Sequence, residues 1–128
     1  MRLLLDTHVF LWALMDDPKL SGIAREAFLD PANDLLLSVA STWEIAIKAS
    51  LGKLDMPKPL GRFLRQQLER NTISLLPIEL NHAVRVATLP FHHRDPFDRL
   101  LLAQSLEEQL PILSADTVLD AYEVQRLW

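Results

Sequence analysis

Cysteine is absent from this 128-residue chain, which excludes a disulfide, a thiolate zinc or iron–sulfur site and a cysteine nucleophile. The lack of disulfides suits a reducing compartment, so the expected location is the cytoplasm. Glycine is scarce at three residues, leaving no glycine-rich loop to cradle a nucleotide and setting aside GTPase and kinase chemistry. Long apolar runs are missing as well. The uncharged stretch Leu35–Trp43 is about half of the roughly 20 residues that cross a bilayer. Leu3-Leu4-Leu5 meets Asp6 long before it could form a secretory core, so no membrane association is expected. Repeats, low-complexity tracts and Gly/Ser linkers are also absent. With 49% hydrophobic residues, positions 1–128 are expected to form one domain.

A basic excess is lacking too: 17 acids stand against 13 Lys and Arg, for a net charge of −4. Nucleic-acid partners ordinarily leave a basic footprint, so the total alone argues against one. The charges are unevenly spread, however. Lys48, Lys53, Lys58, Arg62, Arg65 and Arg70 outnumber Asp55 and Glu69, so one segment is locally basic.

What is present is an alternation of two patterns. Leu3–Leu5, Asp34–Val39, Ile73–Leu76 and Ile112–Leu113 are short apolar runs, with Val124–Trp128 a candidate fifth. Runs without polar alternation suit strands covered on both faces. Between them, helical spacing recurs at Leu20, Ile23, Ala24, Ala27 and Phe28, at Leu60, Phe63, Leu64 and Leu68, and at Leu80, Ala83, Val84 and Ala87. Asp95-Pro96 predicts the N-cap and first turn of a helix reaching Glu108, and another helix is predicted from Thr42 to about Ser50, ending at Gly52. Strands alternating with helices make an α/β fold with a mostly parallel sheet of four or five strands. Such sheets bind ligands beyond the carboxyl ends of their strands.

Four acids fall at those ends. Asp6 follows the first strand and Asp116 the fourth; Glu44 and Asp98 are predicted in the first turns of the helices after Thr42 and Pro96. Each has a purely structural explanation. Asp6 and Asp116 suit caps, Ser41-x-x-Glu44 matches a capping box, and Asp98 suits the positive end of its helix, with Asp95 as the cap itself. Together, however, four carboxylates on one rim repel one another and raise each other's pKa unless a cation joins them. An all-oxygen set suits Mg²⁺, with Mn²⁺ able to substitute.

The segments Leu3-Leu-Leu-Asp6-Thr7-His8, Ser41-Thr-Trp-Glu44-Ile-Ala-Ile-Lys48, Asp95-Pro-Phe-Asp98-Arg99-Leu-Leu-Leu-Ala-Gln104 and Ser114-Ala-Asp116 resemble the motif series of PIN-domain proteins. More narrowly, they are similar to the VapC-type toxins of bacterial toxin–antitoxin pairs. The resemblance runs from Arg2 to Trp128. It implies a Rossmann-like three-layer sandwich and a Mg²⁺-dependent endoribonuclease, in which metal-activated water cleaves RNA phosphodiesters to 5′-phosphate and 3′-hydroxyl ends. By motif position, Asp6, Glu44, Asp98 and Asp116 match the family's acidic quartet. Asp6, Asp98 and Asp116 would hold one ion and Glu44 would complete that site or bridge a second; one metal or two stays open. Thr7 and Ser114 match small hydroxyl residues that orient carboxylates or waters. The resemblance further implies a cognate antitoxin that covers the first helix, and a homodimer. That helix is itself rich in large apolar groups, from Val9 to Met15.

Other residues divide between plain and functional roles. Lys48, one turn after Glu44, suits an i,i+4 ion pair or a phosphate contact. Arg99, beside Asp98, divides in the same way between an ion pair and a phosphate contact, whereas Arg62 and Arg65 suit either a solvated face or an RNA backbone. Trp12 and Trp43 are expected in the core. Of His8, His82, His92 and His93, the adjacent pair lies in a loop before Asp95, where a hydrogen-bonded loop or a substrate contact is expected rather than metal ligation. Two competing functions remain. A phosphoaspartate protein fits poorly, since His8 stands where a phosphatase needs a second Asp and no Lys follows Lys58. A non-catalytic α/β interaction module would use the acids only as caps, and would bind Mg²⁺ no better than any surface.

Overall fold

The computed structural model describes residues 1–128. Its strands are β1 (Arg2–Leu5), β2 (Asp34–Ser38), β3 (Ile73–Leu76), β4 (Ile112–Leu113) and β5 (Arg126–Leu127). Its helices are α1 (Thr7–Leu14), α2 (Gly22–Leu29), α3 (Val39–Ser50), α4 (Leu60–Arg70), α5 (Leu80–Arg85) and α6 (Pro96–Glu108), with 3-10 turns at Val86–Thr88 and Thr117–Ala121. All strand pairs are parallel, in the order β3-β2-β1-β4-β5.

The apolar runs behave as buried parallel strands should, one side chain to each face in turn. Leu3 and Leu5 enter a core with Phe10, Leu35, Leu37, Ile45, Leu64 and Leu68, beneath α1, α2 and α4. Leu4 and Leu36 point the other way, to Leu101, Leu102, Leu110 and Ile112 beneath α6. Three layers result, helices over both faces of one sheet. The chain builds outward from β1 to β2 and β3, then returns past β1 to lay down β4 and β5. That reversal opens a crevice at the carboxyl ends of β1 and β4, where loops diverge to opposite sides.

Several elements differ from their sequence expectation. Helix α3 begins at Val39, not Thr42, because β2 runs into it without a loop and Ser38, its last residue, caps it by accepting the Ala40 N–H at 3.0 Å. Ser41 and Glu44 therefore form no capping box; Glu44 lies in the second turn. The helix expected through Ala87 tightens into a 3-10 turn after Arg85. The fifth strand is trimmed to two residues. Trp43 is no core residue: it is 59% exposed, with its ring against the edge of Phe97 at 5.4 Å. Trp12 is half-buried between the rings of His8 and Trp128.

Candidate active site

Asp6 leaves β1 at the crevice and caps α1, its Oδ1 accepting the His8 N–H at 3.3 Å. Its Oδ2 accepts the Ser114 hydroxyl at 2.6 Å, while that hydroxyl oxygen accepts the Asp116 N–H at 3.1 Å. Ser114 is thus a clasp between the ends of β1 and β4, itself held through its carbonyl by Arg126 at 3.1 Å. Thr7 does not reach a carboxylate. Its hydroxyl donates to Ser41 at 2.8 Å and ties α1 to α3.

Asp98 sits in the first turn of α6, entered through Asp95, whose Oδ1 accepts the N–H groups of Phe97 at 2.8 Å and Asp98 at 3.2 Å. Asp116 caps the turn after β4, its Oδ1 accepting the Val118 N–H at 3.0 Å. The capping roles and the convergence on one rim therefore coexist. Asp6, Asp98 and Asp116 line a cleft of about 320 Å³ with His8, Trp12 and Ala115. A larger cleft of about 660 Å³ lies between α3 and the segment leading to α4, but Asp55 and Lys58 are its only charged lining residues and no acidic group converges there.

The crowding has an electrostatic signature. Desolvation, and then the carboxylates of Asp6, Asp95 and Glu44, push the Asp98 pKa up to about 7, with His93 opposing them. Glu44 is buried beside this group rather than in the cleft lining, and accepts the Lys48 ammonium at 2.7 Å. That hydrogen bond raises the Lys48 pKa, so the i,i+4 ion pair is the role the geometry realises.

Arg99 requires a correction. It is buried, and its guanidinium donates to the carbonyls of Pro90, His93, Val86 and Leu89 at 2.8 to 3.2 Å. With both terminal nitrogens committed to the 86–93 segment, its role is to hold that loop rather than to reach an RNA phosphate. Arg62 and Arg65 lie exposed on α4 and line neither cleft.

One residue is closer to the chemistry than its sequence suggested. The Nε2 of His93 lies 3.0 Å from Asp98 Oδ2 and 2.9 Å from Asp116 Oδ2. Together the three side chains form a group compact enough to surround a metal ion. The adjacency of His92 and His93 marked the loop. Only the folded loop shows that His93 faces the acids while the His92 ring packs against Tyr122 at 5.2 Å.

Comparison with known proteins adds a second line. A model of the PIN domain matches residues 3–125. Ribonuclease VapC22 of Mycobacterium tuberculosis is 28% identical over 124 residues, 96% of this chain and 93% of that protein. Ribonuclease VapC16 of the same organism is 43% identical over 59 residues, 46% of this chain; the match spans only 40% of that relative. Among solved structures, VapBC2 from Rickettsia felis bound to a promoter DNA fragment superposes with a TM-score of 0.72 at 12% identity over 100% of both chains. FitAcB from Neisseria gonorrhoeae gives 0.67 at 20% identity over 97% of this chain and 95% of that one. These structural likenesses speak for the fold.

Proposed function

This chain belongs to the PIN-domain family, and from that premise we propose that it is a VapC-type toxin, a divalent-metal-dependent endoribonuclease held in check by a cognate antitoxin. The observation that carries this reading is the convergence of Asp6, Asp98 and Asp116, from three separate elements, on one cleft at the point where the strand order reverses. The donor set fits a hard cation. Its oxygens come from carboxylates, and the raised pKa of Asp98 marks negative charge that no basic residue in the cleft fully balances. Asp6, Asp98 and Asp116 would hold Mg²⁺ or Mn²⁺, with Glu44 beside them. When bound, the ion supplies a Lewis acid that makes water nucleophilic near neutral pH and offsets charge building on the phosphate.

The protein's own contribution is positional. Ser114 fixes one oxygen of Asp6, and the cap made by Asp95 fixes the first turn that carries Asp98. Lys48 neutralises Glu44 and places a cation within the same field, where Asp95 and Asp98 also act on it. An RNA strand would enter with its scissile phosphate at the three carboxylates and leave with 5′-phosphate and 3′-hydroxyl ends. Exposed Arg62 and Arg65 are proposed as more distant backbone contacts.

The antitoxin reading is supported by an apolar surface beside α1 and α2. Met15, Ile23 and Leu29 are each more than half exposed there, and Trp12 and Trp128 are only partly covered. The proposed assembly is a homodimer in which each copy spans 1–128 as one domain, acting in the cytoplasm; no helix is long and apolar enough to cross a membrane. The test is cleavage of an unstructured RNA by protein purified free of any partner, with Mg²⁺ or Mn²⁺ against EDTA. Metal-dependent cleavage that vanishes in Asp6→Asn, with the fold intact by circular dichroism, is the expected result. Unchanged cleavage by Asp6→Asn would sink the assignment, and so would metal-loaded wild type that neither cuts RNA nor binds Mn²⁺.

A further inference from the structure

The loop carrying His93 is built to hold that residue in one place. Its N–H donates to the Tyr122 hydroxyl at 2.8 Å, and its carbonyl accepts from Arg99 at 3.2 Å. The Tyr122 hydroxyl in turn donates to the Pro90 carbonyl at 2.9 Å, and Arg99 reaches the same oxygen at 2.8 Å. A buried arginine and a buried tyrosine thus clamp the main chain on both sides of one imidazole, whose side chain is 16% exposed.

The contacts of Nε2 with Asp98 and Asp116, at 3.0 and 2.9 Å, suit two roles. The Asp116 contact is a hydrogen bond, and the Asp98 contact places a second carboxylate at ion-pair distance from the same nitrogen. The two distances also match the spacing of adjacent ligands around an octahedral cation, which sit about 3 Å apart when each bond is about 2.1 Å. The other ring nitrogen separates these roles. Nδ1 lies 3.2 Å from the backbone nitrogen of Asp95, which can only donate. Nδ1 therefore keeps its lone pair, and the ring proton of the neutral imidazole resides on Nε2. A nitrogen that carries a proton has no lone pair for a metal. Metal-binding histidines usually donate through their second nitrogen to a carbonyl or carboxylate, whereas His93 meets a donor there.

We propose that His93 is a hydrogen-bond donor seated in the cation's place between Asp98 and Asp116, and that it sets how tightly the cation binds. The inference rests on the reading of Asp6, Asp98 and Asp116 as the cation site. Without an ion, the Nε2–H group donates to Asp116 and stands 3.0 Å from Asp98, between two carboxylates that would otherwise face each other. An arriving ion has to win both oxygens from it, and the ring turns aside about its own side-chain bonds while the main chain stays clamped. Apparent affinity is then the intrinsic affinity reduced by the fraction of molecules with the ring displaced.

Mn²⁺ binding, measured by calorimetry on wild type, His93→Ala and Asp98→Asn, tests this. Removal of the charge-assisted hydrogen bond to Asp116, together with the contact with Asp98, should tighten Mn²⁺ binding by about tenfold in His93→Ala. Asp98→Asn should lose binding, which locates the ion in this cleft. Equal or weaker binding by His93→Ala, with Asp98→Asn still deficient, overturns the role of His93 and leaves the cation site standing; weaker binding would make the ring a ligand. Absence of binding in both wild type and His93→Ala removes the cation site itself and this inference with it. Imidazole ¹⁵N spectra of the wild type without metal at pH 8 give a check independent of any variant. They should show His93 as the Nε2–H tautomer, losing its hydrogen bond to Asp116 when Mg²⁺ is added. An Nδ1–H or doubly protonated ring would overturn the proposal.

Discussion

Asp98 is a residue whose charge costs the folded protein most where no ion is bound. Its pKa rises from 3.8 unfolded to about 7 folded, first through desolvation and then through the neighbouring carboxylates. The folded state therefore keeps a proton that the unfolded chain releases. Between about pH 4 and 7 that linkage lowers stability as pH rises. Urea unfolding of metal-free protein should show wild type losing ground to Asp98→Asn across that interval. Saturating Mn²⁺ at pH 8 should restore the wild type and leave the variant unchanged. Cleavage should rise with pH over the same range, since the ion competes with a proton. Arg99 illustrates the opposite case, a charge the fold requires. Replacing it with Lys keeps the charge but leaves several of its four carbonyls without donors, and should cost about 3 kcal/mol in chemical unfolding. A residue that merely touched RNA would tolerate that change with its stability intact.

Helix α6 concentrates two demands in one turn. Asp95 caps it, and the same carboxylate raises the pKa of Asp98. The two effects separate by substitution. Asp95→Ala should destabilise the protein by about 1 kcal/mol through loss of the cap. Asp95→Asn should preserve the cap and bring the Asp98 pKa down, so Tm stays near wild type at pH 5 and falls less than wild type between pH 5 and pH 8. Thermal unfolding at pH 5 and pH 8 distinguishes these outcomes. Helix α3 has a start that local sequence leaves ambiguous. Ser38, Ser41 and Thr42 are all competent caps, and the choice depends on where β2 leaves the sheet. Once Ser38 caps, Ser41 is free to accept the hydroxyl of Thr7, and Glu44 turns to Lys48.

For the whole molecule, the net charge of −4 is less a property of the surface than of the crevice, where Asp6, Glu44, Asp98 and Asp116 gather. A divalent ion held by Asp6, Asp98 and Asp116 would join β1, α6 and the turn after β4, elements far apart in sequence. At a hundred times its Kd it should add about 2.7 kcal/mol to global stability, visible as a raised Tm that EDTA reverses. A capping set with no ion site would show no such shift.

How far this was legible depends on whether a feature is local. Continuous apolar runs identified β1, β2 and β3, and Asp95-Pro96 announced α6, because burial on both faces and a preset backbone angle act within a few residues. The places of Asp6, Asp98 and Asp116 at strand ends and a helix start were legible for the same reason, whereas Glu44 lies a turn deeper in α3 than expected. The apolar pair Ile112–Leu113 also marked β4, whereas Val124–Trp128 marked β5 only loosely, since its two-residue extent is fixed by pairing with β4. Trp43 remained exposed because only the packing of α3 against α6 decides which face of α3 is covered. Sequence could place Arg99 beside Asp98, but only the path of the 86–93 loop turned its donors inward. It could mark His92 and His93 as a pair, but the hydrogen bonds of this loop with Tyr122, Arg99 and Asp95 decided which ring meets the carboxylates.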